Sequence, residues 1–318
     1  MHTADLTNWS VMARYIARRL LLAIPVLLGA TFLIFAMVFA LPGDPIRALG
    51  GDRPLAPAVQ EQLREDYNLN DPLPVQYVKY IGGLVQGDFG KDFSGRPVSD
   101  IIKQRLPVTI KLALVALAFE AIFGLIAGIL AGIRNKSFFD SLVLVSTTLI
   151  VSIPSFVLGF IAQYTFGLRL GLFPIAGLND GLQSYLLPGF VLGALSLAYI
   201  ARLTRTSLVE NLRNDYVRTA KAKGLTPASV VGKHTLRNSL IPVVTYLGVD
   251  LGTLMSGAII TEGIFNLPGL GRAVFDAIGS QEGAVVVGIV TLFVLVYIVF
   301  NLLVDVLYAA LDPRIRYE

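Results

Sequence analysis

The sequence has no cysteine and only two histidines, His2 and His234, among its 318 residues. Disulfides and thiolate metal sites are excluded outright, and a histidine-based metal site lacks ligands. No redox chemistry is written into the chain. Charge is also scarce, at 15% of residues, where a soluble domain carries about a quarter. No G-x-x-x-x-G-K-[ST] stretch occurs, so the chain binds no ATP through a P-loop. A G-x-S-x-G elbow, an H-E-x-x-H pair and acid pairs at catalytic spacing are missing too. The expectation is a chain that by itself is not an enzyme.

What the sequence has instead is apolar length. Hydrophobic residues make up 54% of it and the mean hydropathy is +0.68. Six runs approach the roughly 20 residues a helix needs to cross a bilayer. They lie at 20–41, 108–133, 141–166, 185–201, 241–262 and 284–307. An all-α membrane protein with six transmembrane helices is predicted. Arg14, Arg18 and Arg19 precede the first run, as in a signal peptide. That run is longer than a signal core and no small-x-small site precedes Pro42, so it is read as an uncleaved span.

Loop charge gives the expected orientation. With residues 1–19 inside, the cytoplasm receives Arg14, Arg18, Arg19, Arg134, Lys136, the basic stretch 202–240, and Arg314 and Arg316 in the tail 308–318. Of basic residues, the two short outer loops then hold only Arg169 and, within 263–283, Arg272. Both termini are predicted to be cytoplasmic. This asymmetry accounts for the net charge of +4 and pI near 9.2. No nucleic-acid partner is expected, because the basic residues lack an aromatic stacking platform.

The extracytoplasmic segment 42–107 reads as a small folded cap. Pro57 opens one helix, with Val59, Leu63 and Tyr67 on one face. A second helix places Val75, Val78, Ile81 and Leu84 together, followed by the Gly-rich "GDFGKDFSGRP" and a short elbow into the second span.

The inner stretch 202–240 has a different grammar. "SLVENLRNDYVRTAKAK" is helical and Gly224 stops it. Thr226 and Pro227 then form a cap and first-turn pair that restarts a helix running to Pro242. Arg218 and Lys221 share one side; Ala220 and Gly224, one turn apart, form another where a partner's backbone could approach. Charge alone fits an ordinary topogenic loop. The glycine stop and Thr-Pro restart fit a docking element better.

Ionisable residues in apolar runs are functional candidates. Glu120 and Asp250 fall mid-span; Lys111 and Glu262 lie near outer ends and Asp305 near an inner end. Glu120 and Asp250 are candidates for a polar pathway, a subunit interface, a proton relay or a structural hydrogen bond. Ser152, Pro154 and Ser155 in "VSIPSF" mark a break in the third span, either around a cavity or for packing.

"YVRTAKAKG" followed by "HTLRNSLIP" resembles the EAA loop of ABC-importer permeases, in the variant of the peptide/nickel branch. Arg218, Thr219 and Ala220 stand in the EAA places and Gly224 at the glycine place. With Arg218 at its place the family's acidic residue is absent here, and His234, Leu236 and Arg237 stand where I-x-L-P is usual. "RYIARRLLLAIPVL", "LPGDP", "YNLNDPLPVQYVKYIGGLVQGDFG", "RLPVTIKLALVALAF", "TEGIFNLPGLGRAVFDAI" and "LLVDVLYAALDPRIRY" extend the resemblance along nearly the whole chain.

The resemblance implies a type I importer permease fold in a bacterial inner membrane, the first of two different permeases. It implies a second homologous permease subunit, two ATP-binding subunits that carry ATP and Mg, and an extracytoplasmic solute-binding protein. It also implies a coupling helix seated on an ATPase, comprising Tyr216, Arg218, Thr219, Ala220, Lys221, Lys223 and Gly224, with His234, Arg237 and Asn238 nearby. An outer contact to the binding protein would fall on Phe265, Asn266, Pro268, Gly269 and Arg272, unless that turn is a re-entrant cap. Di- or oligopeptides are the expected cargo. The alternative class is a proton- or sodium-driven secondary transporter, which would show inverted repeats and midplane ion sites; no convincing repeat is seen.

Overall fold

The structure is a computed structural model and describes residues 3–40, 46, 56–66 and 68–311. The "LPGDP" stretch, Tyr67 and the tail with Arg314 and Arg316 lie outside the described residues, as do His2 and the side chains of Arg14 and Leu63. The described chain is helical, and among the described residues no strand forms beyond one isolated bridge, Lys91 to Pro97. Among the described residues, five helices are long and apolar enough to cross a membrane: Ile16–Phe39, Val98–Ile133, Gln183–Asn211, Ile241–Ile264 and Gly283–Val306. Phe138–Ser152 and Ser155–Arg169 make a sixth if counted as one span bent by 104°.

That bend has a local cause. Pro154 has no N–H to donate and pushes Ile153 out of the helical region, to φ −95° and ψ 125°. The second half ends as a π-helix, Gln163–Arg169. There the Gln163 amide donates to the Ile175 and Ile264 carbonyls at 2.9 and 3.0 Å. One side chain thus anchors the following loop to the end of the Ile241–Ile264 helix.

The chain divides into two compact units. In the one built from residues 1–109 and 268–318, the Thr3–Phe39 and Gly283–Leu311 helices pack along each other. Arg19 and Asp305 pair across them at 3.1 Å. The Leu73–Val85 helix lies on this pair, but not through the face its aliphatic spacing predicts: Val75 and Val78 are exposed. Tyr77 and Tyr80 turn inward instead. Tyr77 packs edge-on to Phe32 and Phe35 and its hydroxyl donates to the Leu28 carbonyl at 2.8 Å. Tyr80 donates to Thr291 at 2.9 Å. Burial pushes the Tyr80 phenol up to about 12, so it stays a donor. An amphipathic aromatic carries both apolar area and a polar tip to a partly polar interface, which an aliphatic side chain cannot do.

In the unit of residues 110–267, the Val98–Ile133 and Gln183–Asn211 helices meet through reciprocal glycines. Gly124, Gly128 and Gly132 face Ile200, Ala201 and Thr204, and Leu208; Gly189 and Gly193 face Val115 and Ala116. A Cβ at Gly128 would sit 2.5 Å from the Ala201 carbonyl oxygen. Apolar side chains gain little by leaving lipid for a helix interface, so close backbone approach supplies the attraction. The Ile241–Ile264 helix also packs on Gln183–Asn211, with Tyr199 and Tyr246 rings 4.4 Å apart.

Candidate functional site

The sequence singles out residues 202–240, and the structure folds them as a helical hairpin. Asp215–Ala222 is the first helix. Gly224 ends it at φ +76°, the left-handed conformation that a side chain disfavours. Nothing lies within 4 Å of a Cβ built there, so the glycine answers a backbone need and not a crowded contact. The Thr226 side chain then accepts from the Ser229 N–H at 3.4 Å, with Pro227 in the first turn. The second arm is not one regular helix: Val230–Thr235 is π-helical before Leu236–Ser239.

Val217, Ala220 and Val230 form the small core between the arms. Ala220 is therefore turned inward, at 6% exposure, and presents no surface to a partner. Its smallness lets the two arms close on each other. Tyr216, Arg218, Thr219, Lys221, Lys223, His234, Arg237 and Asn238 are all exposed. They include the cations Arg218, Lys221, Lys223 and Arg237, of which Arg218 pairs with Asp215 at 3.6 Å.

The hairpin is tied to the Gln183–Asn211 helix at two points. The Tyr216 hydroxyl donates to Asn211 Oδ1 at 3.0 Å, and Ser239 Oγ donates to the Ser207 carbonyl at 3.4 Å. Ser239 also bonds the Thr235 carbonyl at 2.9 Å.

Glu120 and Asp250, 130 positions apart, come together. They are 0% and 4% exposed, with Ser196 and Tyr246 around them. Both oxygens of Glu120 and Oδ2 of Asp250 lack a hydrogen-bond partner. Their burial within one unit is a meeting of helices, which sequence separation concealed. Ser152 donates to its own helix, to the Thr148 carbonyl at 2.8 Å, beside the break at Pro154; Ser155 is half-buried at the start of the next helix.

In the turn beyond Ile264, Phe265 and Gly269 are buried, while Asn266, at φ +50°, and Pro268 are exposed. Arg272 is half-exposed and pairs with Asp276 at 2.8 Å. Phe265 spends its ring inside the fold, at 1% exposure.

One pair escapes the sequence altogether: Arg205 and Asp140. Asp140 reads as an ordinary first-turn acid after the Ser137 cap. Its charge at the edge of an apolar run was the one available signal.

The family can now be named. The sequence matches the profile of binding-protein-dependent transport system inner membrane components over residues 124–317, and that of the N-terminal part of such components over residues 12–113. The chain belongs to this family, the membrane permease subunits of ABC importers.

Among relatives, it is 42% identical to the glutathione transport system permease protein GsiC of Escherichia coli K12, covering 96% of this chain and 100% of that one. It is 39% identical to the di/tripeptide transport system permease protein DppB of Pseudomonas aeruginosa, again over 96% and 100%. The solved inward-facing MetNI methionine ABC transporter matches 67% of this chain and 96% of its own at a TM-score of 0.56 and 19% identity. That likeness establishes the fold: an all-α type I importer permease. The alternative of a proton- or sodium-driven carrier finds no support in this membership.

Proposed function

We propose that this chain is one of two homologous but different permease subunits of an ATP-driven importer for di- or oligopeptides. It sits in a bacterial inner membrane with both termini in the cytoplasm and forms half of the translocation pathway. Two ATP-binding subunits carry ATP and Mg and do the hydrolysis; this chain is not itself an enzyme. An extracytoplasmic solute-binding protein delivers the cargo, and the turn at Asn266, Pro268 and Arg272 faces it.

The observation that carries this reading is the exposed cationic hairpin closed by Gly224 and fixed to the end of a membrane-length helix. Its exposed side chains, Tyr216, Arg218, Lys221 and Lys223 foremost, seat in an acidic-rimmed groove of an ATPase. As the ATPases close on ATP, the hairpin moves as a lever and the spans switch between facing the two sides. Glu120 and Asp250, with Ser152, Pro154 and Ser155, belong in this scheme to the translocation pathway or to the seam with the second permease. Peptide cargo is supported by the names of the relatives.

The test is gentle detergent purification from the native membrane with mass spectrometry of what stays bound. A second permease, P-loop ATPases and peptide uptake that stops on ATP depletion are expected. Recovery of this chain alone, with uptake that survives ATP depletion and collapses with the proton gradient, would overturn the reading.

A further inference from the structure

The turn between the Val98–Ile133 and Phe138–Ser152 helices is locked to the Gln183–Asn211 helix by a forked ion pair. Arg205 Nε and Nη2 donate to the two oxygens of Asp140 at 2.5 and 2.8 Å. Nη2 also reaches Asn135 Oδ1 at 3.2 Å, and the Lys136 backbone N–H donates to Asp140 Oδ2 at 2.8 Å. Lys136 sits at φ +63°, a conformation the turn holds in place around the carboxylate. The Asp140 residue is 3% exposed.

Arg205 lies six residues before Asn211, about 9 Å along the same helix. That last stretch holds three things at once. Asn211 receives Tyr216 of the hairpin's first arm, Ser207 receives Ser239 of its second arm, and Arg205 grips the turn that begins Phe138–Ser152. The hairpin's own core of Val217, Ala220 and Val230 makes its arms move together. A displacement of the hairpin therefore reaches Arg205 through one helix end, and the fork hands it to the start of the Phe138–Ser152 helix as a directional polar link, beside the packing of that helix on Gln183–Asn211. That helix in turn ends at the bend before Pro154.

We propose that Arg205 is a positioning residue for transport: with Asp140 it forms the strut that carries hairpin movement into the Phe138–Ser152 helix. A planar guanidinium on a carboxylate resists both sliding and rotation, which a single point charge does not. A partly sheltered pair is screened less by salt than an exposed one. A pair of this kind adds little net stability, so its value lies in fixing geometry.

The proposal rests on the docking reading above for the source of the movement. The test uses the whole importer in proteoliposomes and measures ATP hydrolysed per substrate imported. In Asp140→Asn and Arg205→Lys, the ATPases stay bound and hydrolysis persists, while ATP consumed per substrate rises roughly tenfold, within the usual range of coupling between sites. The exchange Asp140→Arg with Arg205→Asp restores part of the ratio. If those variants assemble poorly, Asn135→Ala, which removes one neutral contact, shows a smaller rise in the same direction.

Wild-type ratios in Arg205→Lys and Asn135→Ala overturn the strut. Loss of the ATPases from Asp140→Asn also overturns it, by making the pair part of the docking surface. Failure of the docking reading looks different: Arg218→Glu with Lys221→Glu would then leave the ATPases bound.

Discussion

Gly128 and Gly257 show how one residue type can matter at one position and not at another. At Gly128 an added Cβ meets a carbonyl oxygen at 2.5 Å; at Gly257 it meets only Leu192 Cδ1, at 3.6 Å. Backbone cannot step aside as a side-chain tip can. Gly128→Val should therefore cost about 1–3 kcal/mol as overpacking, seen as a fall of several degrees in the melting temperature of the purified chain. Gly257→Ala should stay within about 0.5 kcal/mol of wild type. Equal melting temperatures for the two would mean the helices do not meet through this glycine. The sequence displays both residues identically, so nothing in it separates the structural glycine from the incidental one. Glu120 and Asp250 carry the same lesson. Each was conspicuous as an acid in an apolar run, but their meeting in a single buried site depends on which faces of two helices point at a third.

At the scale of elements, the hairpin was the most legible piece. A glycine stop, a Thr-Pro restart and a basic surface are local signals, and each has its local structural counterpart at Gly224, Thr226 and Arg218. The bend at Pro154 was legible for the same reason, since proline acts on its own neighbours. The inward face of Leu73–Val85 was not. Aliphatic spacing favoured Val75 and Val78, whereas the packing partner offered Thr31, Thr291 and a phenylalanine pair, which suit Tyr77 and Tyr80. Ala220 was expected to face a partner and instead closes the hairpin.

The left-handed backbone at Gly224 makes its own prediction. A side chain there costs about 1–2 kcal/mol, and asparagine tolerates the conformation better than valine. Gly224→Val should speed hydrogen exchange of the amides in 215–240 and uncouple substrate-stimulated ATP hydrolysis from uptake, with membrane insertion intact. Gly224→Asn should lie between it and wild type. Unchanged exchange and coupling in the valine variant would remove the hairpin's rigidity from the mechanism.

For the whole molecule, the absence of cysteine is an experimental opportunity. Single cysteines carry no background, and both Ser94 and Ala228 are exposed. In intact cells, Ser94→Cys should react with a membrane-impermeant maleimide and Ala228→Cys should react only after the membrane is opened. The reverse pattern would invert the proposed orientation and place the hairpin where no ATPase could reach it. The sequence by itself determined the class of this protein: long apolar runs, scarce charge and the position of basic loops are additive along the chain and need no partner to be read. The glycine stop and the proline break were fixed there too, because each acts through its own backbone. Only the tertiary structure decided which glycines touch backbone, which tyrosines replace valines at an interface, that Glu120 meets Asp250, and that Arg205 grips Asp140. Each of those depends on the rotation and depth of one helix against another, which is set by the packing of many side chains at once and is written at no single position.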